Sequence, residues 1–354
     1  MPLPDLRYTL PPGIHIKPFQ QGRNAVKIAA VFWAALASLL SFPSWGEDAF
    51  KPFEVPTAHT YPTRIAIDKS DTVWFIESNF NKLGELRPAK GVFSEHNIPT
   101  PSSLPSDITA SPSGKIWITE SDANQLGVFD PASQLFKEYD IPTITSMPSR
   151  IVTDPRGNIW FTEFYGNKVG MFDPRRETFR EYPIPTPDSR PSGIVADKKG
   201  LMWFLETQGN KLGKLNPKNG AIHEFELPIA FESPRDIVID RSGVLWFGGH
   251  IGRNLMAFNP ATEKFRSFSM PGGSVVESLT AANDGKIFCT LRTSSKIAVF
   301  DPATSAFLEF DVGVGKSQPN GIGTDARGNI WFADTAKNAL VRLDKGMVGK
   351  LWIK

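Results

Sequence analysis

The chain holds one cysteine, Cys289, in 354 residues. A lone thiol can form no intrachain disulfide, so the fold must rest on an apolar core rather than on covalent cross-links. Histidine is scarce too. The five are His15, His59, His96, His223 and His250, and no two share a spacing that would make them ligands of one zinc ion. Charge of one sign is missing: 39 Lys and Arg against 37 Asp and Glu leave a net charge of +2. That balance gives no electrostatic case for nucleic acid as a partner. There is no glycine-rich phosphate loop, no Gly-x-Ser-x-Gly elbow and no EF-hand loop, which removes three common routes to catalysis or cation binding. A helical period of 3.6 is also absent after Glu47, which points to an all-β chain.

Long apolar runs are equally lacking. The stretch Ile28 to Leu40 carries no charge over 13 residues, too short to span a bilayer comfortably, so no permanent membrane span is expected. Arg23 and Lys27 precede it, and Pro43 then Ser44-Trp45-Gly46 follow, with small residues where a signal peptidase reads. This pattern predicts a secretory signal over residues 1–46, cut between Gly46 and Glu47, and a periplasmic or secreted mature protein over residues 47–354. Met1 to Asn24 is long for a charged leader, and translation from Val26 would give a compact signal.

What the chain does have is repetition. Trp74, Trp117, Trp160, Trp203 and Trp246 follow one another at intervals of 43 residues; Phe288 comes one residue early and Trp331 follows 43 later. Seven equivalent aromatics at such a period predict a seven-bladed β-propeller. Within a unit, short β-branched or aromatic clusters alternate with Gly, Pro, Asp and Asn, giving four strands per blade. Asp154-Pro155-Arg156-Gly157 has the chemistry of a tight turn, and it returns at Asp197 to Gly200, Asp240 to Gly243 and Asp325 to Gly328. A residue that recurs in every blade serves what every blade needs, so the Trp is expected to pack between neighbours. Either Phe53 to Pro56 or Leu351 to Ile353 could supply the strand that closes the ring.

The units Trp160 to Glu163 with Asn167 to Gly170, and Trp203 to Glu206 with Asn210 to Gly213, carry a recognisable pattern, as does the linker Glu181 to Pro187 leading to Pro191-Ser192-Gly193-Ile194. Together they resemble the repeat of the virginiamycin B lyase (streptogramin lyase) family over Phe53 to Leu343. The resemblance implies a seven-bladed propeller and a Mg²⁺-assisted elimination that opens an ester-closed peptide ring. It also implies two histidines after the prolines that open late units, with nearby glutamates. In that register this chain has Thr63, Ser106, Ser149, Ser192, Arg235, Glu277 and Asn320, none of them histidine. The family's acid in the last blade falls near Asp334. The general acid/base of the elimination is therefore not at its expected place.

Units one to four agree closely: Glu77, Glu120, Glu163 and Glu206 each follow their Trp by three residues, and Asn81, Asn124, Asn167 and Asn210 come four later. These glutamates are expected to be structural, bonding between blades with the recurring Asn-Lys pairs. Units five to seven depart from the pattern. Unit five has Gly249 and His250 with Arg235 at its opening; unit six has Glu277 and Arg292; unit seven has Asn320 and Asp334. A small or medium organic ligand is expected there, at one mouth of the channel. Candidate catalytic groups are Glu277, His250 and Asp334. Candidate binding groups are Arg235, Asn320, Arg292, Ser192 and Ser149, the two arginines suited to a carboxylate or phosphate. A hard cation held by Glu277, Asp334 and loop carbonyls is the form a Mg²⁺ site would take. Three functions stay open: a ligand-binding module, a lyase or lactone hydrolase with altered chemistry, and a scaffold for protein partners. A monomer is expected.

Overall fold

The computed structural model describes residues 49–229, 232–312 and 316–347. The expected signal, the alternative start at Val26 and the stretch Leu351 to Ile353 lie outside the described residues. Contacts divide the chain at Ser44, and the propeller belongs wholly to the second unit.

Seven antiparallel sheets of four strands each make up the described chain, as the 43-residue period predicts. Six blades are consecutive in sequence. Their innermost strands are Pro62–Ile67, Pro105–Ala110, Pro148–Thr153, Pro191–Ala196, Pro234–Ile239 and Ser278–Ala281. The seventh combines Pro319–Thr324, Ile330–Asp334 and Ala339–Leu343 with an outer strand from the N-terminal side, Phe50–Glu54. That strand pairs Phe50 with Leu343 through to Glu54 with Ala339, so the N-terminal candidate closes the ring. Asn338 reinforces the seam, donating from Nδ2 to the carbonyls of Val55 and Thr57.

The second strand of every blade is buried along its whole length, because each of its faces packs on a neighbouring sheet. This accounts for continuous runs such as Trp160-Phe161-Thr162-Glu163 in place of alternation. The recurring Trp wedges between blades: Trp74 lies 5.7 Å from Phe129 of the next sheet, and Trp203 lies 5.6 Å from Phe258. Burying an aromatic of this size contributes about 5 kcal/mol by area.

One carboxylate joins the turn to the wedge. Asp154 Oδ1 accepts from the N–H groups of Arg156 and Asn158, while Oδ2 accepts from Trp160 Nε1 at 3.0 Å. Gly157 completes the turn at φ +86°. Asp68, Asp197, Asp240 and Asp325 bond their own Trp in the same way. In blade six the wedge is Phe288, which has no N–H to offer, and the turn residue is Ala282, which has no oxygen to accept it.

Candidate functional site

The innermost strands line the central channel, and the ends at which they begin form one of its mouths. Six of these strands open with proline, and in each the pairing register shifts just after it, a β-bulge. Blade six has Val276 in place of the proline; there the Glu277 N–H donates directly to the Thr290 carbonyl, and the ladder shows no shift.

A cavity of about 360 Å³ lies on the axis. The second residue after the opening position in each blade gives it a ring of Arg64, Asp107, Arg150, Gly193, Asp236, Ser278 and Gly321. Arg64 Nη1 crosses the axis to Asp236 Oδ2 at 3.2 Å and to Ser278 Oγ at 3.1 Å. Ser278 Oγ in turn donates to Asp236. Burial opposes the Asp236 charge, but Arg64 and Arg150 with the Ser278 hydroxyl hold its carboxyl below the ordinary range. Asp107 accepts from the Ile151 N–H at 2.9 Å, and burial outweighs the nearby arginines to push its pKa up. The two glycines are required by crowding: a Cβ at Gly321 would fall 2.7 Å from the Thr63 carbonyl oxygen.

Above this ring, Glu277, His250 and Arg235 come together. Burial lowers the pKa of His250, Arg235 lowers it further, and Glu277 opposes them. The imidazole is therefore neutral at pH 7, and its Nδ1 is enclosed without a hydrogen-bond partner. Glu277 also acts on Arg64 and Arg150, so these charges form one network from mouth to axis. Apolar side chains rim the same end. Tyr61, Phe80, Leu104, Ile144, Tyr165 and Ile251 are six of the eight large exposed apolar side chains among the described residues, and all sit in the linkers before the innermost strands or the loops after the second strands.

The remaining candidates do not join that cluster. Asp334 is fully buried and accepts from Ser317 Oγ, Gln318 N and Lys337 N, away from the axial cavity. Arg292 reaches Tyr61 Oη and the Gln318 side chain. Ser192 Oγ donates to the Pro234 carbonyl and accepts from Thr207. Ser149 offers its carbonyl to Ser106 and Thr119. Asn320 is buried at the opening of blade seven. Asp236 stands out in the sequence beside Arg235 at the opening of unit five, but Arg64, Asp107 and Arg150 were not singled out, although they stand one position after the register inspected there and recur at steps of 43.

The recurring glutamates behave differently from the expectation. Asn167 donates to the carbonyls of Ile184 and Thr186 in the following linker, and Lys168 binds Glu181 of the outer strand at 2.7 Å. Glu163 is left fully buried, with both oxygens unbonded, and so are Glu77, Glu120 and Glu206. Burial is the main reason their pKa values rise, to about 7 for Glu77 and Glu120 and about 8 for Glu163 and Glu206. At pH 7 Glu163 and Glu206 are therefore mostly protonated carboxylic acids, while Glu77 and Glu120 stand near their midpoints. In blade five, where Gly249 replaces the glutamate, the space is filled from the linker: a Cβ at Gly249 would land on the carboxylate of Glu232. Glu232 stands 43 residues after Ser189, so carboxylate and small residue have exchanged positions between chain segments.

Residues 44–257 match the Virginiamycin B lyase family, and the chain belongs to that family. Virginiamycin B lyase from Staphylococcus aureus is similar at 27% identity with a TM-score of 0.78, over 83% of this chain and 98% of the enzyme. A catalytically inactive variant of that enzyme with quinupristin matches at 26% identity, with the same TM-score and coverage. Hydrazine synthase from Kuenenia stuttgartiensis shares the fold at 14% identity, with a TM-score of 0.68 over 82% of this chain and 97% of that one. A comparison with curated proteins returned no match. No helix among the described residues is long and apolar enough to cross a membrane.

The residues do not fit the Mg²⁺ that the family implies. Asp334, the expected companion of Glu277, spends its oxygens on Ser317, Gln318 and Lys337. Asp236 is held by Arg64 and Ser278. Among the described residues no three acidic, histidine or cysteine side chains gather as a cation site.

Proposed function

We propose that this is an exported propeller that binds a small or medium organic ligand at the channel mouth, between the apolar rim and the Arg235–His250–Glu277 cluster. The observation that carries the reading is the coincidence of three things at one end of one channel: exposed apolar side chains, a cavity, and convergent polar groups that no scaffold contact consumes. Export rests on the segment Ile28 to Gly46. Binding of quinupristin to the Staphylococcus aureus relative makes cyclic depsipeptides and lactones the first compounds to try. In a thermal-shift screen of the protein with such a panel, at least one member should raise the Tm, and Glu277→Gln should abolish the rise while leaving the unliganded Tm unchanged. No shift with any compound would favour the scaffold reading.

A lyase or lactone hydrolase is the second reading, favoured by a neutral imidazole beside a carboxylate. As free base His250 can accept a proton, which both elimination and water activation require. Mass spectrometry separates the outcomes, since ring opening by elimination leaves the mass of a cyclic ester unchanged and hydrolysis adds one water.

A further inference from the structure

We infer that the ligand of this channel carries a carboxylate, and that Arg150 is the group that receives it. The inference rests on the mouth-binding reading and specifies its ligand class. The axial ring holds two arginines in unlike states. Arg64 is satisfied by Asp236 and Ser278, an arrangement that fixes both partners across the channel. Arg150 lines the same cavity; its backbone N–H donates to Thr162 Oγ1, but among the described residues its side chain makes no hydrogen bond or ion pair, and its Nε is shut away from solvent with no acceptor. Asp107, the acid one blade back, faces the Ile151 backbone instead. A guanidinium nitrogen closed off from water without an acceptor is costly to the folded protein unless something else supplies one. Gly193, the next member of the ring, has no side chain that could supply an acceptor.

The surroundings also decide the charge of the guest. Arg64 and Arg150 already stand in the field of Asp107, Asp236 and Glu277. A guest with one negative charge can use the free face of Arg150 in a paired, planar contact. A dianion would meet three nearby carboxylates, so phosphate esters should be disfavoured. The apolar walls formed by Ile151, Ile194 and Ile237 suit a hydrocarbon body behind that carboxylate.

The test uses benzoate, its neutral analogue benzamide and the dianion phenyl phosphate as probes, with calorimetry and Tm as readouts on the full chain and on Arg150→Gln. Benzoate should bind at least tenfold more tightly than either analogue, and Arg150→Gln should erase that preference with an unliganded Tm equal to or above that of the wild type. Equal binding of benzamide, retention of the preference in the variant, or a Tm that falls on substitution would each overturn the inference; the last would make Arg150 a structural partner of Asp107. The depsipeptide and lactone panel is run on both proteins in parallel. If neutral members bind at the mouth while benzoate does not, the carboxylate inference falls and the mouth reading stands. If benzoate alone binds, the inference holds and the choice of cyclic esters as ligands falls.

Discussion

Blades one to four and blades five to seven share one plan, and their differences are of two kinds. Some departures in the later blades are repaired nearby. Gly249 loses a carboxylate that Glu232 restores to the same space, and Phe288 loses an N–H whose acceptor has become Ala282. Asp334, one carbon shorter than the glutamates of the early blades, gains a hydrogen bond from Ser317. Other departures have no repair. Glu277, Arg235 and His250 answer to no compensating change in their own blades; instead Arg235 from the same blade and Glu277 from the next act together on His250. Loss of repeat identity is thus not evidence of a site until the compensated changes are set aside.

The strongest way to break this distinction is to reverse one repair. Gly249→Glu would place two carboxylates in one buried space, and should cost about 4 kcal/mol or more in urea unfolding through overpacking and like charge. Adding Glu232→Ser should recover most of that loss by recreating the pattern of blade four. If the double variant is no more stable than Gly249→Glu alone, the exchange between segments is not a compensation.

This exchange was readable in the sequence. Ser189 to Glu232 and Glu206 to Gly249 occur at the same step of the same repeat, yet only the second stood out because it removed something. The period, the wedges and the turn acids were legible because each depends on chain spacing alone. The acceptors of Asn167 and Lys168 were not, because they lie 17 and 13 residues away, across a strand and a linker whose path the spacing does not fix. Closure by Phe50–Glu54 was undecided for a similar reason, since pairing with Ala339–Leu343 joins the two ends of the described propeller.

A smaller effect distinguishes the early blades by pH. Glu163 is raised to about 8 by burial first and Glu181 second, with Lys168 opposing. Its unfolded-state value is the ordinary carboxylate one, so between roughly pH 4.5 and 8 the folded chain holds a proton that the unfolded chain has released. Stability supplied by that proton is therefore lost as pH rises through this window, and levels off above it. Glu163→Gln keeps the neutral shape and should remove roughly 3 kcal/mol of the decline between pH 5.5 and 8. Urea titrations at several pH values check this. An unchanged slope in the variant would mean that Glu163 is ionised and paired in the folded protein. Blade five, with Glu232 accepting from Asn254 at 2.8 Å, offers a second carboxylate in the equivalent space for comparison.

The smallest effect belongs to the unrepaired set and leaves the fold alone. Glu277 is half-buried and its side chain bonds to no scaffold group, so Glu277→Gln should change stability by no more than about 0.5 kcal/mol. Its influence should be seen at His250 instead. Removing the carboxylate takes away the one force raising the imidazole pKa, so the titration midpoint followed by NMR should move further down. Arg235→Ala removes a force that lowers it, so the midpoint should move up. Opposite shifts from two different blades, with an unchanged Tm in both variants, would mark the cluster as an electrostatic unit independent of the scaffold. Shifts of the same sign, or none, would return His250 to the class of solitary surface histidines and dissolve the contrast between the two halves of the ring.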